Sequence, residues 1–164
     1  MKTWIKITLI ALILHGACTD KSQKNTKTLN NEEMEKQAKQ EIETILAKYE
    51  EVLNTSNATA AVALYTQDGV FMPSNAPSAR GSENIQAAYE FVFSNIQLNI
   101  KFFIDEIVID QDIAYAVTGS KGTTLIHASG ETVPEENREL FVFEIENGKW
   151  KIARYMFNKT NSTL

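Results

Sequence analysis

The stretch Leu64-Tyr65-Thr66-Gln67-Asp68-Gly69-Val70-Phe71-Met72-Pro73, followed by Arg80-Gly81, decides the fold. An amphipathic run enters it and the Asp68-Gly69 turn breaks that run. A short apolar strand, Val70-Phe71-Met72, then leaves and stops at a proline. Pro73 to Arg80, with two prolines, reads as a loop. Ser82 is placed to cap a further helix carrying Ile85, Ala88, Tyr89, Val92 and Ile96 on one face.

Upstream, Glu32 to about Asn54 places Met34, Ala38, Ile42, Ile45, Leu46, Tyr49, Val52 and Leu53 at steps of three and four. This predicts a long amphipathic helix with Tyr49 on its buried side. Asn54-Thr55-Ser56-Asn57 breaks it, and Ala58 to Tyr65 reads as a short helix of small residues. Downstream, four strands are predicted. They are Ile100 to Ile109, Ile113 to His127 with a bulge near Gly119 or Gly122, Arg138 to Glu146, and Lys149 to Asn158. Asp110-Gln111-Asp112 is a hairpin turn, since the glycine and later glutamate of a calcium loop are missing. Asn147-Gly148 is the strongest hairpin signal. In the last strand, alternation puts Trp150, Ile152, Arg154 and Met156 on one face, and Ala153, Tyr155 and Phe157 on the other. Helices grouped before an antiparallel meander give an α+β class.

The 164 residues suit one domain, 32–160, preceded by a leader and a tail. Lys2 and Lys6 precede the apolar run Ile7 to Leu14, and Gly16-Ala17 lead into Cys18. This is the pattern of a secretory signal over residues 1–18. The run is shorter than the roughly 20 apolar residues of a spanning helix. Cys18, the only cysteine, sits where bacterial lipoproteins carry their lipidated cysteine, although His15 stands where an apolar residue is usual. Lipidation and ordinary cleavage both remain open. Either gives an exported protein of the cell envelope, held at a membrane only through a lipid anchor. Residues 19–31 are polar, with one leucine, and read as a disordered tether. The net charge of −5 and the lack of a basic cluster argue against a nucleic-acid partner.

The order of these motifs resembles the NTF2-like superfamily, and within it the SnoaL-like and SgcJ/EcaC-type domains of unknown function. The residues that carry the likeness are Tyr49, Leu64 to Pro73, Arg80-Gly81, Asn137-Arg138 and Asn147 to Ile152. The resemblance implies a cone: three N-terminal helices packed in a strongly curved, mostly antiparallel sheet, with a pocket inside and homodimers formed through the sheet. Among ketosteroid isomerases of that fold, Tyr49 falls at the position of the catalytic tyrosine. Met72 stands where the base belongs, and a thioether cannot take a proton. Leu140-Phe141-Val142-Phe143 offers no counterpart to the second acid, so the isomerase set is incomplete.

A small apolar or amphipathic ligand is therefore expected in the cone, lined by Tyr49, Tyr65, Phe71, Met72, Tyr115, Arg138 and Arg154. Turnover of the isomerase, lyase or hydrolase type is compatible with this. The alternative is a dimerising module whose core is filled by its own side chains. An arginine in a curved sheet must be paired or reach a ligand. Glu106, Glu136 and Glu139 are the candidate partners for Arg138 and Arg154. Asp68 reads as a turn residue, and Arg80 as fixing the loop into the third helix. His127 reads as a solvated strand end, and neither a metal site nor a cofactor is expected.

Overall fold

The computed structural model describes residues 20–160. The expected signal at 1–18 and Cys18, the candidate for lipidation, lie outside the described residues. The chain divides into two units, residues 1–33 and 34–164. Helix α1 spans Asp20–Asn54. It begins twelve residues before the expected start, so Asp20 to Asn31, read as part of a tether, has helical backbone. Adding residues to an existing helix avoids the nucleation cost that a free segment of this composition would face.

Within the second unit, α1 is followed by α2 (Ala58–Ala63), β1 (Tyr65–Met72), β2 (Ala79–Arg80), α3 (Ser82–Asn95), β3 (Ile96–Asp110), β4 (Ile113–Ile126), β5 (Thr132–Glu146) and β6 (Lys149–Lys159). They form one unclosed sheet in the order β2-β1-β6-β5-β4-β3. All neighbours are antiparallel except β1 and β6, which are parallel. The α+β cone of three helices on a curved sheet is thus present. Several details differ from expectation. β3 starts at Ile96 rather than Ile100, and β5 at Thr132 rather than Arg138. β1 starts five residues early, at Tyr65. The presumed loop contains β2. The cap of α3 is Gly81, at φ 77°, rather than Ser82.

The predicted hairpin at Asn147-Gly148 forms, with φ 52° and 73° at the two positions, the left-handed pair that a type I′ turn requires. The bulges lie elsewhere than at Gly119 and Gly122, which pair in register with Phe103 and Ile100. Register shifts occur instead between Ile104 and Glu106 and between Val142 and Phe143. At the second, Phe143 pairs with Ile152 and Val142 with Arg154, so Ala153 is extra. The extra residue reverses the alternation of β6. Trp150 and Ile152 are buried before it, and Tyr155 after it. Arg154 and Met156, expected beside Trp150, therefore face the opposite, convex side.

Helix α1 buries Ile42, Leu46, Tyr49 and Leu53 in the core. Its C-terminal turns also cover the free edge of β3. Asn54 Oδ1 accepts from Ile100 N and Asn54 Nδ2 donates to Ile100 O, both at 2.8 Å. Glu50 Oε2 accepts from Phe102 N at 2.7 Å. An uncovered sheet edge would leave these backbone groups unpaired. Asn54→Ala is expected to lower stability by about 2 kcal/mol, because it strips both groups of Ile100. Urea titration should show the midpoint fall with an unchanged slope.

Candidate functional site

Four of the chain's five tyrosines turn into the concave side of the sheet. Tyr49 comes from α1, Tyr65 from the start of β1, Tyr89 from α3 and Tyr155 from β6, and all four are at most 3% exposed. Local sequence explains each direction. Tyr49 follows Ile42 and Leu46 on the apolar stripe of α1. Tyr89 lies four residues from both Ile85 and Phe93 on α3. Tyr155 points inward because the Ala153 bulge reverses the parity of β6.

The Tyr89 hydroxyl is the hub. It is hydrogen-bonded to the Tyr49 hydroxyl and, at 2.8 Å, to that of Tyr65. An open chain of hydroxyls carries one proton more than it has links, so one O–H remains for a further acceptor. Burial raises the pKa of all four tyrosines; neighbouring tyrosines raise Tyr49 and Tyr65 further, and the Glu139 carboxylate, then Tyr89, raise Tyr155. They stay neutral throughout the physiological range and act as donors, not as bases.

A column of rings fixes the cluster. Tyr89 stacks on Phe71 at 4.8 Å, Phe71 on Tyr155 at 5.6 Å, and Tyr155 on Phe141 at 4.3 Å. Tyr49 meets Phe141 and Tyr155 edge-on, at 5.4 and 5.1 Å. Such offset and edge-on pairs are the favourable geometries.

Two carboxylates on the concave face, Glu135 and Glu139, were missed as site residues. Glu139, 4% exposed, accepts from Thr118 Oγ1 at 2.6 Å and Ser120 Oγ at 2.8 Å. Burial raises its pKa; the two hydroxyls offset this in part, and Glu135 adds to the rise. A raised folded-state pKa means stability is full below the unfolded value of about 4.5 and falls as pH climbs through the folded value. Glu139→Gln, which keeps polar partners for both hydroxyls, removes that fall. The variant should gain in melting temperature relative to the parent as pH rises from 4 toward neutrality. A constant difference across that range would contradict this.

Of the seven residues expected to line the pocket, Tyr49, Tyr65 and Phe71 converge and four do not. Tyr115, 37% exposed, alternates with the buried Ala114 and Ala116 and faces the convex side. Met72 pairs with Met156 on that side, next to the inward pair Phe71 and Tyr155. Arg138, between buried Asn137 and Glu139, points outward and donates to Asn158 Oδ1 at 3.3 Å. Arg154 lies 3.9 Å from Asp68, and its Nη1 donates to the Ala153 carbonyl at 2.6 Å. Two of the three expected glutamate partners are engaged elsewhere: Glu136 pairs with Lys121 at 3.0 Å, and Glu139 faces inward. His127 is exposed, its Nδ1 3.0 Å from the Ser94 carbonyl. Among the described residues, no three His, Cys, Asp or Glu side chains are grouped to hold a metal ion.

The sequence of residues 46–153 matches the SnoaL-like domain. No curated protein matches. Among solved structures, the chain is similar to a ketosteroid isomerase-like protein from Erwinia carotovora atroseptica, with 30% identity over 74% of this chain and 95% of that one, TM-score 0.72. It is also similar to an NTF2-like superfamily protein from Salmonella enterica serovar Typhimurium, with 20% identity over 79% and 95% of the two chains, TM-score 0.69. A third is an NTF2-like protein with a cystatin-like fold from Novosphingobium aromaticivorans, with 16% identity over 90% and 94%, TM-score 0.61.

Proposed function

The chain belongs to the SnoaL-like domain family of the NTF2-like superfamily, and from that premise we propose that it binds a small amphipathic molecule against the concave sheet. The observation that carries this reading is the buried Tyr49–Tyr89–Tyr65 hydroxyl chain with its surplus proton. A carbonyl or hydroxyl oxygen of the ligand takes that proton, and the surrounding rings hold the apolar body. Turnover of the isomerase, lyase or hydrolase type extends the same reading, the tyrosines polarising the ligand oxygen without a metal. The Met72 position contributes no base, since it faces away from the cluster. Export and lipidation at Cys18 belong to the proposal on the strength of Lys2, Lys6, the apolar run and Gly16-Ala17-Cys18. The finer SgcJ/EcaC-type assignment rests on the ordered motifs from Leu64 to Ile152.

A second reading, homodimerisation, is favoured by the convex face. There Phe103, Val108, Tyr115, Leu140 and Met156 are each 37–50% exposed on adjacent strands, a contiguous apolar surface of the kind that marks an interface. Native mass spectrometry of the protein purified from its host tests both readings. A retained small molecule, lost in Tyr49→Phe but kept in Arg154→Ala, supports the pocket. An empty dimer that Leu140→Glu converts to monomer, and that host extract leaves unchanged, selects the assembly module.

A further inference from the structure

Beyond the tyrosines, the concave face carries a second polar group whose hydrogen bonds do not balance. Strand β5 turns Glu135, Asn137 and Glu139 inward at alternate positions, and they are 6%, 7% and 4% exposed. The hydroxyl and amide donors there are already spent. Thr118 and Ser120 donate to the two oxygens of Glu139. Thr124 Oγ1 and Lys159 Nζ donate to Glu135 Oε2 at 2.8 and 2.9 Å. Asn137 Nδ2 donates to Glu135 Oε1 at 3.1 Å and to Ser120 Oγ at 3.2 Å.

The acceptors are left over. Asn137 Oδ1 is buried with no hydrogen-bond partner, a state that costs about 1–3 kcal/mol in a folded protein. Each Glu139 oxygen receives one hydrogen bond and has capacity for another. In charge, two carboxylates face one ammonium, that of Lys159. A buried carboxylate without a counter-charge is costly. The group therefore lacks one thing, a positively charged donor. The Lys159 side chain that closes on Glu135 is itself 48% exposed.

We propose that Asn137 Oδ1 and Glu139 form a subsite for an ammonium group, so that the ligand of the cone is an amphipathic amine. This rests on the pocket reading and names the chemistry of the ligand's polar end. The amine donates one proton to Asn137 Oδ1 and another to a Glu139 oxygen. Its apolar body lies along Phe157, which pairs with Glu139 across the sheet, toward Tyr155.

Calorimetric titration of the full chain with octylamine, 1-octanol and octanoate at neutral pH tests this. Octylamine should bind at least tenfold more tightly than octanol, and octanoate more weakly than either. Glu139→Gln should reduce the amine preference to below threefold while leaving octanol affinity unchanged. Asn137→Leu should do the same where it folds, and Glu139→Gln keeps the test decisive where it does not. Equal binding of amine and alcohol overturns the subsite and leaves the pocket standing. Absence of binding by all three overturns both. Displacement of octylamine by calcium alone would reassign the oxygens to a metal and overturn the amine.

Discussion

Gly122→Ala is expected to be the most damaging single methyl group that can be added to this protein, lowering stability by about 4 kcal/mol. The reason is a close backbone approach. A Cβ at residue 122 would lie 2.1 Å from the Asn99 carbonyl oxygen, 2.7 Å from Ile100 Cα and 2.9 Å from the Asn99 carbonyl carbon. None of these is the movable end of a side chain. Relief requires β3 to separate from β4 where Ile100 pairs with Gly122, and it also disturbs the two Asn54 bonds that hold Ile100 from the other side. For a domain of this size the loss corresponds to roughly 15 °C in melting temperature. Gly119→Ala is the internal control. Its Cβ would meet only the Asn137 carbonyl oxygen at 3.5 Å, an ordinary contact, so the change should stay within about 1 kcal/mol. Similar melting temperatures for the two variants would refute the argument from close approach.

The same two glycines show how far the sequence can be read. Both lie in a strand rich in small residues, and both suggested a bulge. The feature that separates them, the path of β3 past residue 122, belongs to a neighbouring strand and leaves no local trace. The long helix, the Asn147-Gly148 hairpin and the order of elements were legible, because periodicity and turn chemistry are local properties. The parallel pairing of β1 with β6 was not, since it joins residues some 85 positions apart, such as Phe71 and Tyr155.

The candidate site follows the same division. Tyr49 was found through its place on the apolar stripe and the family resemblance. Tyr65 and Phe71 were found through the motif they sit in. Arg154 and Met156 were put on the wrong side of β6 because Ala153 is an unremarkable residue with nothing to announce a bulge. Glu139 was read as a partner for an arginine, although strict alternation from the buried Phe141 and Phe143 already placed it inward. That alternation was the available signal. Tyr89 and Tyr155 were visible as core residues, but the meeting of the Tyr89 hydroxyl with those of Tyr49 and Tyr65 depends on three elements packing together.

That meeting point carries the second large expected effect. Tyr89→Phe keeps the ring, its stack on Phe71 at 4.8 Å and the helix it stands on, and removes a single oxygen. The oxygen is the one through which Tyr49 and Tyr65 are joined. Its loss leaves the Tyr65 hydroxyl without that partner and takes one from Tyr49, both at sites closed to water. An unsatisfied buried hydroxyl costs about 1–3 kcal/mol, so Tyr89→Phe should lower stability by about 3 kcal/mol in denaturant titration. Tyr65→Phe, at the end of the chain, should cost only about 1 kcal/mol, because Tyr89 keeps its bond to Tyr49. The double variant makes the argument sharp. Once Tyr89 has lost its oxygen, the Tyr65 hydroxyl is a liability, and removing it should recover part of the loss. Tyr65→Phe/Tyr89→Phe is therefore expected to be no less stable than Tyr89→Phe alone, a coupling well outside the few tenths of a kcal/mol seen between independent sites. Simple additivity would mean that the three hydroxyls do not act as one chain, and the count of a single unspent proton on which ligand binding was argued would fail.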